Sequence, residues 1–163
     1  MKLVVDWGIR QTEAHFEVAG KDAKSARAFL VERGEWARFE GIVTEPRANA
    51  IVTNAEGVVT KVTLAPWYRI QMPRWRGYTT QRQPVKESWD VMWRALKDHE
   101  SGHLDIFMRG FQAITRSLEE AEGLEGGEVK RQLEQATAAI QEDHDQYDTK
   151  TEHGQATGVV WDL

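Results

Sequence analysis

The feature that most constrains this chain is one helical stripe in its second half. At 3.6 residues per turn, Met92, Leu96, His99, His103 and Ile106 fall on one line, and Trp89, Trp93, Glu100 and Phe107 on the adjoining one. Two histidines and a glutamate therefore stand where the helix carries its apolar side chains. Burying such a cluster is costly unless every polar group finds a partner. At i and i+4 the imidazoles of His99 and His103 lie one turn apart on one face and can hold one metal ion between them, with Glu100 beside them as a general base. The competing reading is a pair of hydrogen-bonded core histidines. Gly102 sits in mid-helix, where glycine costs about 1 kcal/mol relative to alanine, and so predicts a neighbour packed closely against the helix.

The helical period starts at Val85 and runs on through Phe107, Phe111, Ile114 and Leu118 to about Ala121, with a kink at Gly110. Gly123 to Gly127 reads as a turn. A second helix then carries Val129, Leu133, Ala136, Ile140, His144 and Tyr147 on its apolar stripe. So short a turn predicts an antiparallel hairpin, and folding about Glu125 sets Tyr147 level with His103 and Thr151 level with His99. The segment Tyr147 to Gly154 is thereby delivered to the histidines. A catalytic zinc takes three protein ligands and a water, and His153, Asp148 and His144 all qualify by type for the third place. The alternative for His153 is an exposed helix-end residue complementing the dipole. Gly154 ends the helix, and the tail from Gln155 to Leu163 is too short to assign.

The first half reads as a layer of sheet. His15 to Val18 is a short strand, a helix runs from Asp22 to Arg33 with Gly34 closing it, and Arg38 to Thr44, Ala50 to Thr53 and Val58 to Met72 are strands. Glu45-Pro46 and Asn54 to Gly57 supply turns between them, and the last strand ends at Pro73. The fold class is α+β, with residues 1–84 mainly sheet and 85–163 helical. At 163 residues with 40% hydrophobic content the chain is the size of one domain with a real core. The strand Trp67 to Met72 precedes the loop into the metal-bearing helix and offers a sheet edge for an extended peptide.

A formal net charge of −5 argues against nucleic acid and anionic membranes as partners. The loop Pro73-Arg74-Trp75-Arg76-Gly77-Tyr78 does mix cations with aromatics, as single-strand platforms do. In so acidic a chain it reads better as a substrate rim anchored by Trp75. With no cysteine, any zinc must be held by His, Asp or Glu. The apolar run in Met1 to Trp7 is shorter than a signal-peptide core, and no stretch approaches a membrane span. The expectation is a soluble chain without an export signal.

Four stretches carry a family resemblance: His15-Phe16-Glu17-Val18-Ala19-Gly20; Ile70-Gln71-Met72-Pro73-Arg74-Trp75; Trp89 ahead of His99-Glu100-Ser101-Gly102-His103; and Tyr147-Asp148 with Thr151 and His153-Gly154. Together they resemble the bacterial family of predicted secreted zinc-dependent proteases, formerly a domain of unknown function. The resemblance implies a single zincin-like metalloprotease domain over 1–163, with a long metal-binding helix in an antiparallel hairpin and Zn2+ as cofactor. It implies His99 and His103 as ligands and Glu100 as base, and it favours His153 over His144 as the third ligand, with Asp148 as its support or nearest rival. Members are usually secreted or periplasmic, so without a signal this chain is expected to be a mature or trimmed form of an exported protein or an intracellular, cytoplasmic relative. The leading expectation is a peptidase acting on a protein or peptide, in which Glu100 takes a proton from water and Tyr147 donates to the oxyanion. The alternatives are a hydrolase of a non-peptide, cell-wall amide and a non-catalytic module in which the metal is structural. Nothing in the sequence sets an oligomeric state.

Overall fold

The computed structural model of the protein describes residues 2–5, 12–43 and 50–162. Among them are strands β1 (Lys2–Val5), β2 (Thr12–Val18), β3 (Arg38–Ile42), β4 (Ile51–Thr53), β5 (Val59–Leu64) and β6 (Trp67–Trp75). The helices are α1 (Ala23–Arg33), α2 (Gln83–Glu120) and α3 (Gly126–Thr151). This is an α+β fold with two small sheets. No helix among the described residues is long and apolar enough to cross a membrane.

The chain divides into two compact units. The first takes the described residues of Met1–Gln11, Gly41–Tyr68 and Leu104–Asp145. Its sheet has the order β1-β5-β4, with β1 parallel and β4 antiparallel to β5. Along β5 Val62 and Leu64 are buried on one face with Lys61 exposed on the other, and the alternation breaks at Val59, which is buried where the pairing register with β4 shifts. Phe111, Ile114 and Leu118 of α2 and Val129 and Ile140 of α3 are buried in the same unit. Gly110 lies against the Ile140 side chain so closely that a methyl group there would collide with it.

The second unit takes Thr12–Glu40, Arg69–His103 and Gln146–Leu163. Its sheet has the order β2-β6-β3. Helix α1 starts where the sequence predicts, because Asp22 accepts from the Ser25 backbone N–H at 2.9 Å while the Ser25 hydroxyl accepts from the Asp22 N–H at 3.3 Å. Gly34 ends it at φ 79°. Ala26 and Leu30 of α1, Val18, Met72 and Trp75 of the sheet, and Trp89, Met92 and Leu96 of α2 form the core.

The tail completes that core. After α3 the backbone takes three successive left-handed residues, Glu152 at φ 51°, His153 at φ 53° and Gly154 at φ 88°. The chain then turns back and buries Val159 and Trp161. The Trp161 ring packs edge-on against Trp75 and Trp89 with centroids 5.4 and 5.0 Å away, its carbonyl accepts from Arg27 Nε at 2.9 Å, and the carbonyl of Asp162 accepts from Ser88 Oγ at 2.9 Å.

Three sequence expectations change. The run Val58 to Met72 is two strands, interrupted at Ala65-Pro66. Strand β6 does not end at Pro73 but continues to Trp75, and the Pro73 carbonyl accepts from Trp93 Nε1 at 3.1 Å. The strand Trp67 to Met72 offers no edge to a peptide, because β6 lies between β2 and β3 and both its flanks are taken. Residues Lys2–Val5, given no element in the sequence reading, form β1, and α2 runs through Gly110 as one helix of 38 residues. The turn expected at Glu45-Pro46 lies outside the described residues.

The tail's role is testable by equilibrium urea unfolding. Trp161→Ala should lower stability by about 3–5 kcal/mol, the usual cost of deleting a large aromatic from a packed core. A loss below about 1 kcal/mol would show that the core closes without it.

Candidate metal centre

The centre is built on α2 and completed by the last turn of α3. His99, Glu100 and His103 are 6%, 4% and 6% exposed, as the apolar stripe requires. Across from them, Asp148 Oδ1 lies 3.2 Å from His99 Nε2 and 3.0 Å from His103 Nε2. These three donor atoms all lie within 4.8 Å of one another. A tetrahedral ion with bonds of about 2.0–2.2 Å holds its ligands roughly 3.3–3.5 Å apart, so the residues fit such an ion with little adjustment. A second observation bears on the fit: Glu100 Oε2, beside the cluster, is buried without a hydrogen-bond partner among the described residues, which a purely structural polar cluster should not leave.

Tyr147 sets the orientation of both imidazoles. Its ring stacks on His99 at 5.0 Å and 17° and meets His103 edge-on at 5.0 Å and 82°. Its hydroxyl lies over Gly102, where a Cβ would overlap the phenol oxygen. The neighbour that Gly102 implies is thus Tyr147.

Burial governs the charges. Both histidines are pushed below the ordinary imidazole range, chiefly by burial and against the attraction of Asp148, so they present neutral nitrogens suited to ligation. Glu100 is raised to about 8, first by burial and then by the charges of Asp148 and Glu35, against a backbone hydrogen bond from Phe39 that favours its ionised form. Its carboxyl therefore changes protonation state near neutral pH.

His153 is placed differently from the other histidines. Its side chain is 81% exposed, and its Nδ1 lies 3.9 Å from Asp148 Oδ2, outside the group of three. Helix α3 ends at Thr151, and the left-handed residues that follow turn the chain away toward Val159. Gly154 itself packs on the His99 ring: a Cβ there would stand 2.6 Å from Val159 Cγ2 and 3.2 Å from His99 Cγ. His144, half-buried one turn before Asp148, is also outside the group. Phe39 of β3 had no signal in the sequence. Its ring lies parallel to His103 at 6.1 Å and 19°, and its backbone reaches Glu100, a juxtaposition that only strand placement creates.

Fold and site together define an α+β protein with a two-histidine, one-aspartate cluster able to coordinate a metal ion. Residues 13–154 match the family described as "Bacterial protein of unknown function (DUF922)", and the chain belongs to that family. No curated protein and no solved structure matches it.

Gly102→Ala tests the close approach of the two helices. The added methyl must displace Tyr147, and urea unfolding should show a loss of about 1–3 kcal/mol, whereas the same change at an exposed helix position would stabilise. A gain in stability would contradict the packing.

Proposed function

We propose that the protein binds one zinc ion through His99, His103 and Asp148 and hydrolyses an amide bond, in a cell-wall polymer rather than in a protein chain. The shared carboxylate oxygen of Asp148 carries the metal reading, since it draws two neutral imidazoles and one anion to a single point. Two imidazoles and a carboxylate are a donor set common at catalytic zinc. The peptide reading loses the strand it was built on, because β6 lies inside its sheet between β2 and β3.

When bound there, zinc supplies Lewis-acid chemistry to a carbonyl and to water. The chain's own groups do the rest. Glu100 adjoins the histidines, and although burial raises its carboxyl to about 8 in the metal-free chain, a cation bound beside it would favour the ionised form that can accept a proton and return it to a leaving amine. The Phe39 N–H stabilises its ionised form. Tyr147 holds both imidazole planes, and the surrounding apolar packing restricts water. A second reading, a binding module with a structural metal, draws on the same raised Glu100, because a carboxyl held neutral is a poorer base.

Elemental analysis of protein purified without added metal should give about one zinc per chain, and His103→Ala should abolish it. Asp148→Ala should weaken zinc binding more than His153→Ala, and equal losses would bring His153 into the ligand set. Glu100→Gln should retain zinc and fold while lowering hydrolysis about 10²–10⁴-fold. Product profiling on cell-wall fragments and a peptide library identifies the substrate. Zinc binding with no turnover of either would establish the module.

A further inference from the structure

We propose that a groove on the second unit, formed where β6 and the turn after it meet the first turns of α2, is a saccharide-binding site. It shares no residue with the metal cluster and does not depend on the reading of that cluster. Its volume of about 820 Å³ lies in the range of about 300–1,000 Å³ typical of small-ligand sites.

The floor consists of Pro73, Trp75 and Trp89, all buried, and the half-buried rings of Tyr78 and Trp93 stand beside them. The polar handles of Trp75, Trp93 and Tyr78 are already engaged. Trp75 Nε1 donates to the Gly20 carbonyl at 2.7 Å, Trp93 Nε1 to the Pro73 carbonyl at 3.1 Å, and the Tyr78 hydroxyl to Asp90 Oδ2 at 3.0 Å. Trp75 and Trp89, packed on each other and on Trp161, serve as backing, so the carbon surface open to a ligand is that of Tyr78 and Trp93, which have Lys86 Nζ and Lys97 Nζ at 5.7 and 5.6 Å from their ring centroids.

This inventory separates the ligand classes. A proline-rich peptide is read in aromatic grooves partly through side-chain N–H and O–H donors, and here those of both indoles and the phenol are spent internally. Strand addition fails as well, since Pro73 has no N–H and its carbonyl is occupied. A phosphodiester chain needs uncompensated cations. The rim instead balances Arg74 and Arg76 against Glu17 and Asp90, with Arg76 Nε paired to Glu17 at 3.0 Å. A purely apolar ligand would leave these charged groups facing it. A neutral sugar meets every condition: its C–H face covers an aromatic ring, and its hydroxyls both donate and accept, as guanidinium and carboxylate neighbours require.

The test titrates the full chain with two neutral trisaccharides, triacetylchitotriose and cellotriose, read by tryptophan fluorescence and calorimetry, with and without one equivalent of zinc. At least one should bind, equally in both metal states. Trp93→Phe should weaken binding about tenfold and Arg74→Ala about three- to tenfold, with zinc content unchanged. Arg74 is exposed, so its variant keeps the test valid if Trp93 proves structural. No sugar binding at millimolar concentration overturns the proposal, as does sugar binding indifferent to both variants. A ten-residue oligothymidine or a proline-rich decapeptide that binds in place of the sugars, and is lost in those variants, also overturns it.

Discussion

One carboxylate oxygen organises the second unit: Asp148 Oδ1, facing the Nε2 atoms of both His99 and His103. Two imidazoles on the buried stripe of a helix are neutral and need acceptors or a metal, and a carboxylate taken from water needs donors. Each side of that contact makes the other tolerable. The contact forms only because α3 approaches α2 closely, and the approach depends on the missing side chain of Gly102, over which the Tyr147 phenol lies. Tyr147 and Asp148 are successive residues, so the ring that orients the imidazoles and the oxygen that faces them arrive together.

The end of α3 is the second constraint. Left-handed backbone at Glu152 and His153 costs on the order of 1–2 kcal/mol per residue. Burial of Trp161 between Trp75 and Trp89 offsets that cost, since a fully buried aromatic side chain contributes on the order of 1.5–3 kcal/mol. The same turn sets the composition of the centre. It sends His153 into solvent and lays Gly154 on the His99 ring, leaving a carboxylate rather than a third imidazole level with the histidine pair.

Glu100 shows how the two layers meet chemically. The helix supplies its position beside the two histidines, and burial raises its pKa, but the hydrogen bond that favours its charged form comes from the backbone of Phe39 on β3. Neither helix nor strand sets the protonation balance of that carboxyl alone.

Much of this was determined by the sequence itself. The stripe from Trp89 to Leu118, the shared face of His99 and His103, the cap at Asp22 and the helix end at Gly34 all follow from contacts within about a turn, where spacing along the chain is spacing in the protein. Tertiary structure decided what depends on partners distant in sequence: the interior place of β6 between β2 and β3, the reach of Phe39 to Glu100, and the burial of Trp161. It also decided between Asp148 and His153 for the place beside the histidines. Both residues have ligand chemistry and both lie within one turn of the helix end, so only the path of the backbone beyond Thr151, drawn back by the tryptophan core, could separate them.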